Sequence, residues 1–181
     1  MRRKRIGQIK DEERKIGDPE KARARTTNRA VRLLAAKPRS ERELTERLLE
    51  SPWTDRTIVN AVVEKLKGYG YIDDERYAGD LALSRLRQKP QGKRRLKLAM
   101  SQKKLEAEVV RSAVESAFEK MPESELIDSA IEKRLSRKGV PATREDLKRF
   151  FDHMLRLGFE YDLIRERMTD LRGRIKTGEE G

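Results

Sequence analysis

The chain has no cysteine. A disulfide framework, thiol catalysis and thiolate metal ligation are therefore excluded. It has one histidine, His153. A histidine metal site or general base needs partner groups, and the pattern around His153 offers none, so a surface or half-buried helix position is expected. Aromatics are scarce, with four Phe, four Tyr and one Trp in 181 residues, so the core must be thin. Glycine and proline number only 11 and 6, which puts the abundant charge on helix faces more than in loops. No apolar run approaches the roughly 20 residues that span a bilayer. The basic N-terminus lacks the apolar segment of a signal peptide, so a cytoplasmic location and no membrane partner are expected. Period-2 alternation is missing, and the β-branched residues fall inside helical stripes, so nothing competes with a helical reading. Gly68, Gly70 and Gly92 form neither a phosphate-loop nor a dinucleotide pattern. No catalytic constellation emerges: the chain reads as a non-enzyme with no cofactor and no metal.

What the sequence does have is a faint repeat of about fifty residues. Leu44, Leu48, Trp53, Ile58, Val62 and Leu66 are followed 52 residues on by Leu96, Met100, Leu105, Val110, Val114 and Phe118. A further 54 residues on stand Phe150, Met154, Phe159, Ile164 and Met168. Apolar falls on apolar until the pattern lapses at Arg172, although only 35% of residues are hydrophobic. A fixed period of this length marks stacked supersecondary units, which favour extended binding surfaces over one enclosed site. Each unit reads as three helices, giving an all-α, elongated tandem array of three three-helix repeats. The expected boundaries are a disordered basic arm over 1–27, repeats over 28–73, 74–122 and 123–172, and a tail over 173–181.

Local signals place the helices. Ser40 with Glu43, and Thr143 with Asp146, read as capping boxes. Thr54 and Ser124 read as N-caps of the third and seventh helices. Trp53, aligned with Leu105 and Phe159, reads as core. The carboxylates Asp73, Asp74 and Glu75 could hold Mg²⁺, but acids at a helix start serve more often as caps and dipole partners.

The formal net charge is +12, which favours polyanionic partners. The excess is uneven. From Leu81 to Leu105 the chain carries nine Lys or Arg and no Asp or Glu. Arg85, Lys89, Lys93, Arg94, Arg95 and Lys97 are the candidate contact residues here, set around the Pro90-Gln91-Gly92 turn. Arg29, Arg32, Arg39 and Arg42 form the second candidate cluster. A merely solvated face is the competing reading, and the missing acids weigh against it. No stacking aromatic accompanies the turn, which disfavours a base-stacking mode.

Four stretches resemble the RecX family of recombination regulators: Arg29–Leu34 leading into Arg39–Leu44; Gly70-Tyr71-Ile72-Asp73-Asp74-Glu75-Arg76-Tyr77-Ala78; Pro90-Gln91-Gly92-Lys93-Arg94-Arg95-Leu96; and Leu157-Gly158-Phe159 with Asp162 and Ile164. The second stretch is the most specific. The resemblance implies winged-helix-like units, and a protein that lodges in the groove of the RecA filament on DNA and restrains ATP hydrolysis and strand exchange; separately, a monomer is expected. Direct DNA contact is a further possible partner. The family tends to carry Gly before the apolar residue that starts each third helix; Pro52 and Lys104 stand there instead, so those turns are expected to differ. The rival reading is a helix-turn-helix DNA-binding protein or transcription regulator. Its would-be recognition helices expose mixed charge (Arg56, Asn60, Glu64 and Lys67, or Glu108, Arg111, Ser112 and Glu115), a poor surface for entering a groove.

Overall fold

The computed structural model describes residue 14 and residues 16–178, with side chains up to residue 171. Among these residues there are nine helices and no strand: α1 Pro19–Ala36, α2 Glu41–Leu49, α3 Arg56–Gly68, α4 Asp74–Gln88, α5 Lys93–Ser101, α6 Ala107–Lys120, α7 Glu123–Lys138, α8 Arg144–Arg156 and α9 Tyr161–Gly178. They follow one another as three groups of three, as the repeat requires. None is long and apolar enough to cross a membrane. The described chain forms two compact units. The first runs to Tyr77 and takes in Lys103–Glu106; the second holds Ala78–Gln102 and the chain from Ala107.

In the first unit, α1, α2 and α3 pack on one another. Leu44 and Leu48 of α2, with Ile58, Val59, Val62, Val63 and Leu66 of α3, are buried, as the helical spacing predicts. The Ser40 hydroxyl accepts the Glu43 amide at 3.2 Å and so caps α2. Asp55, rather than Thr54, caps α3 by accepting the Ile58 amide at 2.8 Å. Thr54 is buried instead, its hydroxyl 3.0 Å from that of Thr26. Trp53 is half-buried, not core. α3 ends in a Schellman turn, in which Gly70 takes φ +72°, its amide reaches the Lys67 carbonyl and the Tyr71 amide reaches that of Leu66.

From Pro19 onward the stretch expected as an arm over 1–27 is helix α1. Residues 1–13 and 15 lie outside the described residues. Asp18 accepts the Glu20 and Lys21 amides, Pro19 opens α1, and Ala22 and Thr26 are buried. The pattern was easy to miss because small residues at i and i+4 carry little hydropathy. Arg14 also belongs to the unit: its guanidinium donates to the carbonyls of Leu49 (2.9 Å), Ser51 (3.0 Å) and Thr54 (2.7 Å).

In the second unit, α5 packs on α6, and α7, α8 and α9 pack on one another. Leu96, Met100, Val110, Ala113, Val114, Ile127, Phe150, Met154 and Ile164 are buried. Thr143 caps α8 as expected, accepting the Asp146 amide at 3.1 Å. Ser124 is not a cap: α7 starts one residue earlier, after Pro122, with no side-chain cap. The helix α9 continues to Gly178, so most of the expected tail from 173 is helical backbone; residues 179–181 lie outside the described residues.

Candidate polyanion-binding surface

The acid-free stretch folds as the end of α4, a tight turn and α5. The turn is fixed by backbone contact. The Gly92 amide donates to the Leu157 carbonyl at 2.9 Å. A Cβ on Gly92 would lie 2.1 Å from the Gly158 carbonyl oxygen, and one on Gly158 would lie 2.5 Å from Arg95 Cβ. Gly158 has φ +85° and ends α8 in a second Schellman turn, with Gly158 N–H on Leu155 and Phe159 N–H on Met154. The Pro90–Leu96 and Leu157–Phe159 motifs are thus two sides of one contact.

With Leu96 and Met100 buried, α5 turns Lys93, Arg94 and Lys97 outward, all exposed. None of the three side chains has an ion-pair partner among the described residues. Leu98 shares this exposed side, at 66% exposure. Arg95 does not join them. It is half-buried, and its guanidinium donates to the Arg156 carbonyl at 2.7 Å. Arg85 is half-buried on α4 with its Nε enclosed and unpartnered, and Lys89 is exposed just beyond that helix. Glu123 accepts the Lys93 amide at 3.1 Å, and burial raises its carboxyl above the ordinary range.

The first-unit cluster is more heavily neutralised. Arg39 is largely buried; it pairs with Glu43 and donates to the Leu33 carbonyl at 3.3 Å. Arg42 faces Glu46 at 3.6 Å, and Arg29 faces Glu50 at 3.8 Å. Only Arg32 of the four stands exposed with no ion-pair partner among the described residues.

The acidic motif is a set of caps. Asp73 accepts the Arg76 amide at 2.8 Å at the start of α4. Asp74 accepts the Glu41 amide at 2.9 Å at the start of α2, and its burial raises its carboxyl above the usual value. Arg76 reaches back to the Gly70 carbonyl at 2.9 Å. Ile72 and Ala78 are buried. The motif therefore locks the α3–α4 turn and the start of α2, with Asp73, Asp74 and Arg76 each serving a backbone partner. Lys104 adopts φ +59°, a glycine-like conformation, and pairs with Glu46.

Sequence reasoning passed over one further group of cations. Lys133, Arg134, Arg137 and Lys138 of α7 surround a cavity that also takes in Lys89 and His153. Their spacing was the available signal, since they continue the helical face on which Ala130 lies.

Comparison with known proteins gives consistent matches. The model of the RecX first three-helix domain matches residues 27–66, and that of the RecX second three-helix domain matches residues 73–114. Regulatory protein RecX of Prosthecochloris aestuarii is 28% identical over 144 residues, covering 80% of this chain and 91% of the relative. Regulatory protein RecX of Clostridioides difficile is 27% identical over 172 residues, covering 93% and 78%. The crystal structure of RecX from Lactobacillus salivarius superposes with a TM-score of 0.73 at 21% identity, covering 84% of this chain and 98% of that one. A second RecX crystal structure gives 0.68 at 20%, covering 84% and 73%.

Proposed function

The chain belongs to the RecX family, and from that premise we propose that it regulates recombination by binding the RecA filament on DNA and restraining its ATP hydrolysis and strand exchange. The observation that carries this reading is the outward face of α5. Lys93, Arg94 and Lys97 are exposed with no ion-pair partner among the described residues, within a stretch that has no acid from Leu81 to Leu105. A face of this kind attracts phosphates and carboxylates, the groups that a nucleoprotein filament presents. Lys89 and the half-buried Arg85 extend the same positive stretch. In the first unit Arg32 is the cation best placed to contribute, since Arg29, Arg39 and Arg42 already face carboxylates. Arg95 acts on the fold by holding the end of α8.

The test is DNA-dependent ATP hydrolysis by RecA on single-stranded DNA with this protein titrated in. Hydrolysis should fall at stoichiometric protein, and a pull-down should recover RecA assembled on DNA in preference to bare DNA. Unchanged hydrolysis at low and moderate salt would overturn the reading. Tight, sequence-dependent binding to one duplex would favour a helix-turn-helix regulator instead.

A further inference from the structure

One face of α7 changes character halfway along the helix. Leu126, Ile127, Ala130 and Ile131 are buried. The spacing then continues through Lys133, Arg134, Arg137 and Lys138, which stand three, four, seven and eight residues after Ala130 and so share its face. This face forms one wall of a cavity of about 430 Å³. Lys89 and Pro90 enter it from beyond α4, and His153 and Leu157 from α8 and its end. No carboxylate lines it.

Three observations point to an anionic occupant. First, Lys89, Lys133, Arg134, Arg137 and Lys138 have no ion-pair partner among the described residues. Some cations elsewhere in the same unit do have them, as Arg149 with Glu145 and Asp146, and Arg167 with Asp128 and Glu166, but those partners lie outside the cavity. Second, the Arg134 Nε is buried with no hydrogen-bond acceptor. An enclosed donor left open is unfavourable, and an acceptor arriving in the cavity would relieve it. The Arg134 guanidinium also lies 5.9 Å from the Phe150 ring, which helps to orient it. Third, His153 is held below its ordinary protonation range by burial and then by Arg134, Arg156, Lys89 and Arg95 around it. The helix dipole favours cations in the last turn of α7 and accounts for Arg137 and Lys138. It does not account for Lys89, which comes from another segment, or for the open Nε.

We propose that this cavity binds phosphate groups, supplied either by the diesters of a nucleic-acid strand or by a free nucleotide. Five cations exceed what one carboxylate neutralises, whereas a polyphosphate or successive diesters carry charge enough. The guanidinium forks suit phosphate oxygens, and Ala130, Pro90 and Leu157 supply an apolar surface beside the charge. This inference goes beyond the filament reading and needs no RecA for its test, so either can fail without the other.

The experiment titrates the full-length protein with ADP, with inorganic phosphate, and with a single-stranded oligonucleotide lacking terminal phosphates, at low ionic strength. Wild type is compared with Arg134→Gln and with the exposed pair Lys133→Gln/Arg137→Gln, which should not disturb folding. Binding of at least one probe should weaken about tenfold or more in both variants with melting unchanged, the loss of one or two charge-assisted contacts. An effect confined to ADP assigns the cavity to a free nucleotide; one confined to the oligonucleotide assigns it to a strand. If no probe binds wild type, or if every probe binds the exposed double variant as wild type, the proposal is wrong. Should Arg134→Gln prove unstable, the double variant alone decides.

Discussion

Gly92 and Gly158 meet backbone to backbone: a Cβ on Gly92 would stand 2.1 Å from the Gly158 carbonyl oxygen, where no side chain can yield. This contact seats the α4–α5 turn against the end of α8, and the Leu157 carbonyl completes it by accepting the Gly92 amide. Gly92→Ala must push two backbones apart. It should cost roughly 3 kcal/mol or more, at the upper end for overpacking. Gly158→Ala adds left-handed backbone strain to a clash with Arg95 and should cost as much. Gly79→Ala is the control. Gly79 lies inside α4 with open space around it, so alanine there should stabilise by about 0.5–1 kcal/mol. Urea unfolding of the three variants gives the order; a neutral Gly92→Ala would disprove the contact.

Lys104 holds φ +59° where its flexible side chain pairs with Glu46. Both groups are substantially exposed, so the pair contributes at most about 1 kcal/mol. Left-handed backbone costs a non-glycine residue a similar amount. Lys104→Gly should therefore be about as stable as wild type or slightly more so. Lys104→Val, β-branched and without the pair, should lose about 2 kcal/mol. Thermal melts that rank valine with glycine would show that the turn is not constrained.

These two sites indicate which parts of the structure could be read in advance. The helices and most of their buried stripes were legible, because periodicity and the caps at Ser40 and Thr143 are local. The cap at Asp55 was misplaced onto Thr54 because Thr54 is engaged by Thr26, 28 residues away. The helix start at Pro19 was hidden by charge, although Asp18 before Pro19 is itself a helix-opening signal. At the candidate surface the sign of the charge was legible but its partners were not. Glu43, four residues on, is a local partner for Arg39, but nothing near Arg95 in the chain announces that it is committed to the distant Arg156 carbonyl.

Arg14 ties the segment before α1 to the end of α2 through three carbonyls. Hydrogen bonds from a charged donor are each worth more than neutral ones. Arg14→Ala should lower stability by about 2 kcal/mol. Deleting residues 1–27 should do far more harm, since it removes buried Ala22 and Thr26 with half of α1. Deleting 1–13 leaves the whole of α1 in place and is the comparison. Equal melting temperatures for the 1–13 and 1–27 deletions would contradict the packing described for α1.

The face of α5 can be tested without touching its packing. Lys93, Arg94 and Lys97 are outward, whereas Arg95 is committed to Arg156. Reversing the first three to Glu should leave helicity and melting near wild type and weaken filament binding by at least tenfold. The binding that remains should depend less steeply on salt, because fewer counterions are released. Near-wild-type binding with an unchanged salt slope, in a variant shown to be folded, would mean that this face is only solvated, and would move the contact to Arg32 and its neighbours in the first unit.

His153 supplies a pH readout that no other histidine confuses. Burial, then Arg134 on α7, Arg156 on its own helix, Lys89 beyond α4 and Arg95 on α5 all disfavour its charged form. Its folded value therefore lies below the ordinary 6.5. Well above 6.5 the imidazole is neutral in both states and silent. Below that, the unfolded chain takes up the proton first, so stability should fall as pH drops from about 7 toward the folded value. The half-buried carboxylates Asp74 and Glu123 have raised values and act with the opposite sign, which is why the comparison must be made against His153→Gln, where only the histidine contribution disappears. Phosphate in the cavity would offset the surrounding cations and let His153 protonate. Binding should then tighten as pH falls from 7.5 to 5.5, by at most tenfold per pH unit for one proton. The oligonucleotide without terminal phosphates is the right probe, since its diesters do not titrate in this range. A pH slope that persists in His153→Gln would place the proton elsewhere and remove this support for an anion beside Arg134.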